Sequence, residues 1–227
     1  MNKLLSTLFA FVVTCVTASS VLAQDLKGNA AEGEKKNAMC LGCHSIKGYQ
    51  ASFPEVYKVP MIAGQSAKYI ASALSAYKKG DRKHPTMRGI AASLSDQDMA
   101  DLAAYFESDG PAIKVDAKAS KEPSAAVQAL LTRDPANTCT TCHGANFSTP
   151  KDGTVAKLAG QHADYLFVAL KAYKTEGNPH VGRANGVMSG NAKKFSNNEL
   201  KDIAKYISSL DGELKTVPEA RFRTAAH

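Results

Sequence analysis

The chain has 227 residues, enough for one large domain or two small ones. Its formal charge is +7, but no run of Lys and Arg is dense enough to argue for a nucleic-acid partner. Beyond the first two dozen residues no apolar stretch is long enough to span a bilayer as a helix, so the part from Gln24 on is expected to be soluble.

The N-terminus reads as a secretory leader. Lys3 gives a positive start, Leu4 to Val16 is mostly apolar, and Val21-Leu22-Ala23 offers small residues for cleavage before Gln24. Residues 1–23 are therefore expected to be removed, Cys15 with them, leaving an exported protein of formal charge +6 once Lys3 is gone. Four cysteines stay behind, at Cys40, Cys43, Cys139 and Cys142.

From here the chain reads twice. Each copy opens on two cysteines and a histidine, Cys40-Leu41-Gly42-Cys43-His44 and Cys139-Thr140-Thr141-Cys142-His143. Ile62-Ala63-Gly64-Gln65 is matched by Leu158-Ala159-Gly160-Gln161. A helix follows, with Tyr69, Ile70, Ala73, Leu74 and Tyr77 on one face, repeated as Tyr165, Leu166, Ala169, Leu170 and Tyr173. Ser95 with Asp98, and Ser196 with Glu199, predict the N-terminal caps of a last helix. Its buried stripes are Met99, Leu102, Ala103 and Phe106, then Leu200, Ile203, Ala204 and Ile207. The first domain is placed at residues 24–109 and the second at 124–210, joined by a Lys-, Ala- and Pro-rich linker at 110–123 and followed by a tail at 211–227. Strand signals are nearly absent, so the fold class is mainly α, two small helical domains in tandem. At about 80 residues each, such domains have marginal cores, and a large apolar cofactor would complete them.

The cysteine motif names that cofactor. Two thiols separated by two residues reach both vinyl groups of one porphyrin and form thioethers, and the next histidine lies against the iron. Cys40, Cys43, Cys139 and Cys142 are thus expected to hold two covalent haem c groups, with His44 and His143 as proximal ligands. Export agrees, because bacteria attach such haem outside the cytoplasm. A thioredoxin-like pair would need a βαβ context, and a zinc site built from all four cysteines would not explain the two histidines.

The repeat also selects the sixth ligand. Met188 is the one methionine of the second copy and lies eight residues before Ser196; Met87 lies eight before Ser95. Met39, Met61 and Met99 align with Thr138, Lys157 and Leu200. Met87 and Met188, in loops rich in Gly, Pro, Asn and Arg, are therefore the expected distal ligands. His84 and His180 are rivals, but they stand three and eight residues before these methionines. The proximal imidazoles need a fixed acceptor for their other N–H, and the carbonyls of Pro60 and Ala156 stand where one is wanted. Tyr69, Tyr77, Tyr165 and Tyr173 are expected to pack, or to line the haem.

The two haem motifs, the Ala-Gly-Gln segments, the Met87 and Met188 loops and Leu94-Ser95-Asp96-Gln97-Asp98 together resemble the di-haem cytochrome c4 family over nearly the whole mature chain. The resemblance implies two cytochrome c domains facing each other, each wrapped around one covalent haem with axial pairs His44–Met87 and His143–Met188. It implies single-electron transfer in the periplasm, toward a terminal oxidase, loosely at the membrane surface. A quinol-oxidising complex, a terminal oxidase or a periplasmic dehydrogenase would be the partner, with no catalytic residue in the chain. A haem subunit or enzyme of the di-haem peroxidase or thiosulfate-oxidising type is the alternative. Residues 50–59, residues 178–187 and the tail after Leu210 depart from the family pattern.

Overall fold

The computed structural model describes residues 26–113 and 115–219. The expected leader, residues 1–23, lies outside the described residues. In the first half, α1 (Ala30–Lys36) and α2 (Ala38–His44) precede a hairpin of β1 (Gln50–Ala51) and β2 (Tyr57–Lys58). Then come α3 (Ala67–Lys79), β3 (Arg82–Lys83), α4 (Pro85–Ala92) and α5 (Asp96–Ser108). The second half repeats this with α6 (Ala125–Leu131), a 3₁₀ turn at Pro135–Asn137, α7 (Cys139–His143), α8 (Ala163–Lys174), β4 (Gly182–Arg183), α9 (Gly186–Ala192) and α10 (Asn197–Ser208).

The paired helices form for the reasons their sequences give. Ser95 and Asp98 close a reciprocal capping box at the start of α5, and Ser196 with Glu199 does the same for α10. The apolar stripe of α5 packs Met99, Leu102, Ala103 and Phe106 against Leu41, Ile70, Leu74 and Leu94. In the second half Leu200, Ile203, Ala204 and Ile207 of α10 pack against Leu131, Phe147, Leu166 and Phe195. α1 crosses α5 at Gly33, where a methyl group would stand 2.1 Å from the Asp101 carbonyl oxygen. Asp101, itself buried, ties that crossing: its carboxylate accepts from Asn29 N–H (2.9 Å), Gln97 Nε2 (2.8 Å) and Lys36 Nζ (2.7 Å).

The segments around Met87 and Met188, expected as loops, are short helices. Pro85 presets the backbone at the first position of α4, with His84 as its cap; Asn185 caps α9. Their Gly, Pro and Asn content marks helix starts as well as loops.

The halves meet along an approximate two-fold. β3 pairs antiparallel with β4, Arg82 opposite Arg183. The lengthened segment 50–59 forms the β1–β2 hairpin and straps the second half: Lys58 N–H donates to Asp164 (3.1 Å), and Glu55 pairs with Lys171. Beyond α10, Glu213 pairs with Lys157 of the second half, Leu214 is buried, and the chain then returns to the first half, where Lys215 N–H donates to the Ala63 carbonyl (3.1 Å).

Candidate haem sites and the domain junction

Cys40, Cys43 and His44 occupy the last turns of α2, and Cys139, Cys142 and His143 those of α7. A helix puts the cysteines on neighbouring turns and leaves the histidine at its end. His44 Nδ1 lies 2.8 Å from the Pro60 carbonyl oxygen, and His143 Nδ1 lies 2.9 Å from that of Ala156. A carbonyl only accepts, so each Nδ1 carries the proton and each Nε2 keeps its lone pair. Burial lowers the pKa of both imidazoles, which outweighs the opposing pull of those carbonyls. Both rings are thus held neutral in the tautomer that an iron ligand requires.

Met87 and Met188 are structural equivalents. Each is the third residue of its short helix, and each backbone N–H donates to the capping side chain, Met87 to His84 Nδ1 (3.3 Å) and Met188 to Asn185 Oδ1 (3.0 Å). The two rival histidines are not equivalent to each other, although His84 lines the same cavity as Met87. His84 is the cap of α4, its Nε2 engaged by the Tyr57 hydroxyl at 2.8 Å, and its counterpart is Asn185. His180 is exposed. His162 is the half-buried residue preceding α8.

Cys40, Cys43, His44 and Met87 line one cavity of about 420 Å³, floored by Ile70, Leu74, Leu102 and Phe106 and reaching the second half at Tyr165 and Arg183. All four thiols are free, and among the described residues no cluster of three or more His, Cys, Asp or Glu side chains could hold a bare metal ion. A four-cysteine zinc site is therefore not assembled. Before any haem is attached, burial pushes the Cys40 thiol up to about 11, with Cys43 adding to the rise.

Sequence reasoning missed the arginines. Arg82 and Arg183 stand five residues before Met87 and Met188, a repeat match that spacing alone could have revealed. Tyr69, Tyr77, Tyr165 and Tyr173 gather around them. The Arg82 guanidinium sits 4.6 Å from the Tyr77 ring centroid, and Arg183 lies 5.4 Å from that of Tyr173. Arg82 donates to the Tyr69 hydroxyl (3.4 Å) and Arg183 to that of Tyr165 (3.1 Å). Burial pushes the Tyr165 phenol up, but Arg183 and then Arg82 outweigh it and hold its pKa below the ordinary range. Among the described residues neither arginine pairs with a carboxylate, and the buried Arg82 Nε has no hydrogen-bond partner. A buried cation, Arg82, and a half-buried one, Arg183, beside an apolar cavity call for anions. A haem brings an apolar macrocycle and two carboxylates, so the residues fit the group.

The fold and site define a c-type cytochrome with two domains in tandem. The cytochrome c family model matches residues 30–109 and again 125–211. Cytochrome c4 of Azotobacter vinelandii is 31% identical over 193 residues, 81% of this chain and 90% of that protein. The crystal structure of reduced recombinant cytochrome c4 from Pseudomonas stutzeri superposes with a TM-score of 0.63 at 31% identity, covering 81% of this chain and 100% of that one. A thiosulfate dehydrogenase electron acceptor of Stutzerimonas stutzeri is 28% identical over 84% of this chain and 92% of its own length. The chain belongs to the di-haem cytochrome c4 family. It is a di-haem electron-transfer cytochrome, with one covalent haem c in each domain.

Proposed function

We propose that the protein carries single electrons between respiratory partners in the periplasm, toward a terminal oxidase. Cys40 and Cys43 hold one haem and Cys139 and Cys142 the other. His44 with Met87 and His143 with Met188 are the axial pairs. The observation that carries this reading is a double equivalence: Met87 and Met188 are capped the same way, and His44 and His143 are each fixed by a backbone carbonyl. Each bound haem supplies a one-electron iron couple.

The chain's own residues do the rest. The Pro60 and Ala156 carbonyls orient the imidazoles, and the apolar walls exclude water, which favours a small rearrangement when charge changes. Arg82 and Arg183 offer the haem carboxylates a counter-charge at the junction, where residues of both domains line the first domain's cavity. A leader on residues 1–23 would export the chain. No helix among the described residues is long and apolar enough to cross a membrane, in line with a carrier that touches a membrane only at its surface.

The thiosulfate dehydrogenase electron acceptor among the relatives favours a second reading, in which a periplasmic dehydrogenase is the donor. The test is to add the purified holoprotein to membranes with an active oxidase and, separately, to a candidate dehydrogenase. Reduction of both haems by a quinol-oxidising complex and reoxidation by the oxidase supports the first reading. Turnover only with the dehydrogenase overturns it in favour of the second.

A further inference from the structure

The glutamines of the two Ala-Gly-Gln segments reach across the domain junction, although each Oε1 also accepts from the next N–H of its own chain segment, Ser66 or His162 (both 3.0 Å). Both turns place glycine in the left-handed region, Gly64 at φ 84° and Gly160 at φ 74°, and aim the next side chain across the junction. Gln161 Oε1 accepts from Met61 N–H (3.0 Å), and Gln161 Nε2 donates to the Met61 carbonyl (2.9 Å). Gln65 does the same to Lys157, accepting from its N–H (3.0 Å) and donating to its carbonyl (2.9 Å). Backbone donors and acceptors fix which amide atom is which. Both glutamines are buried, at 5% and 4% exposure, where such contacts are electrostatically strongest.

The N–H of Met61 belongs to the same peptide group as the carbonyl of Pro60, and that carbonyl accepts from His44 Nδ1. The N–H of Lys157 and the carbonyl of Ala156, which accepts from His143 Nδ1, likewise share one peptide. Each proximal histidine is therefore the end of a chain of hydrogen bonds, imidazole to peptide carbonyl and peptide N–H to carboxamide, whose last member belongs to the opposite domain. Hydrogen bonds in series polarise one another. An acceptor on the peptide N–H makes its carbonyl more negative, and a more negative carbonyl draws harder on the imidazole N–H. The ring becomes a stronger electron donor through Nε2, which favours the oxidised metal.

We propose that Gln161 sets the reduction potential of the first domain's haem, and Gln65 that of the second domain's, each acting across the junction through a single polarised peptide. They are positioning residues: neither lines up with an iron ligand in sequence, and each acts through another group. The inference rests on His44 and His143 being the proximal ligands. It explains why the segment is repeated with Gln in both copies although its partners, Met61 and Lys157, are unlike side chains: the partner is backbone.

The test uses the full chain with both haems attached, in the variants Gln161→Leu, Gln65→Leu and Gln161→Glu. Each haem's potential is measured by redox titration, with the haems distinguished by NMR. The Nδ1 proton of each proximal histidine is followed in the reduced protein. Gln161→Leu is expected to raise the potential of the first domain's haem and move the His44 proton upfield, with the second domain unchanged. Gln65→Leu is expected to do the reverse. Gln161→Glu keeps an acceptor on Met61 N–H and should stay at or below the wild-type potential. A shift confined to the variant's own domain would overturn the proposal, as would lowering of both potentials, the mark of domains that merely part and hydrate. Unmoved potentials in proteins that keep their axial ligand spectra would overturn it too. If the ligand assignment itself were wrong, His44→Ala would leave the first haem's spectrum intact, which separates the two failures.

Discussion

Replacing Asp101 should destabilise the first domain in a way that depends on pH. Its carboxylate joins α5 to α1, the helix that leads directly into the Cys40–His44 segment. Asp101→Ala strands the Asn29 N–H, whose bond to a charged acceptor is worth about 1.5 kcal/mol. It also removes a contact with Lys36, which is about a third exposed and keeps Asp98 at 2.8 Å, so that share is small. With the Gln97 contact the loss comes to about 3 kcal/mol, a large part of the stability of a small domain. Lys36, helped by Asn29 and Gln97, holds the Asp101 pKa below the ordinary carboxylate value, against the opposing effect of burial. A depressed folded-state pKa gives stability that is present above the unfolded value near ~3.9 and lost as pH falls through the folded value. The gap between wild type and Asp101→Asn should therefore be full at pH 7 and close below about pH 4. Urea unfolding of the holoprotein, followed by circular dichroism across this range, measures it. An Asp101→Ala midpoint unchanged at pH 7, or a gap that persists at the acid end, would refute the reasoning.

Replacing Met87 with Ala should lower the potential of the first domain's haem alone and open it to carbon monoxide; Met188→Ala should do so in the second domain, each read by redox titration. A methyl group at Gly64 would meet the Glu213 carbonyl oxygen at 2.4 Å, whereas at Gly160 the nearest atom, the Leu210 carbonyl oxygen, is 3.3 Å away. Gly64→Ala should therefore lower the melting temperature more than Gly160→Ala, although both carry the left-handed penalty of about 1 kcal/mol. Tyr57→Phe removes the hydroxyl bound to His84 and should cost about 1 kcal/mol by denaturant titration. Removing the Lys58 and Lys171 pairs to Asp164 and Glu55 should cost less, and less still at high salt, because these groups are partly exposed.

What the sequence made legible was whatever a repeat or a helical period encodes. Ser95–Asp98 and Ser196–Glu199 cap the expected helices, and the Met99–Phe106 and Leu200–Ile207 stripes are buried. The Pro60 and Ala156 carbonyls hold the histidines as the spacing suggests. The junction was not legible, because pairing between distant segments leaves no local period. Arg82 opposite Arg183, and each glutamine on the other domain's backbone, depend on how two finished domains meet. The tyrosines show the same limit. Their helical spacing predicts one shared face, and only the assembled pair shows that this face surrounds two arginines. Residues 50–59 were visible as a lengthened segment, but their use as a strap on the second domain was not.

Closure of both irons by methionine is the central claim, and one optical experiment tests it most directly. The ferric holoprotein is scanned at long wavelength for the methionine–iron band, and the ferrous form is then exposed to carbon monoxide. Two equivalents of the band per chain with no carbon monoxide adduct is the predicted result; a single equivalent, or an adduct on either haem, would contradict it.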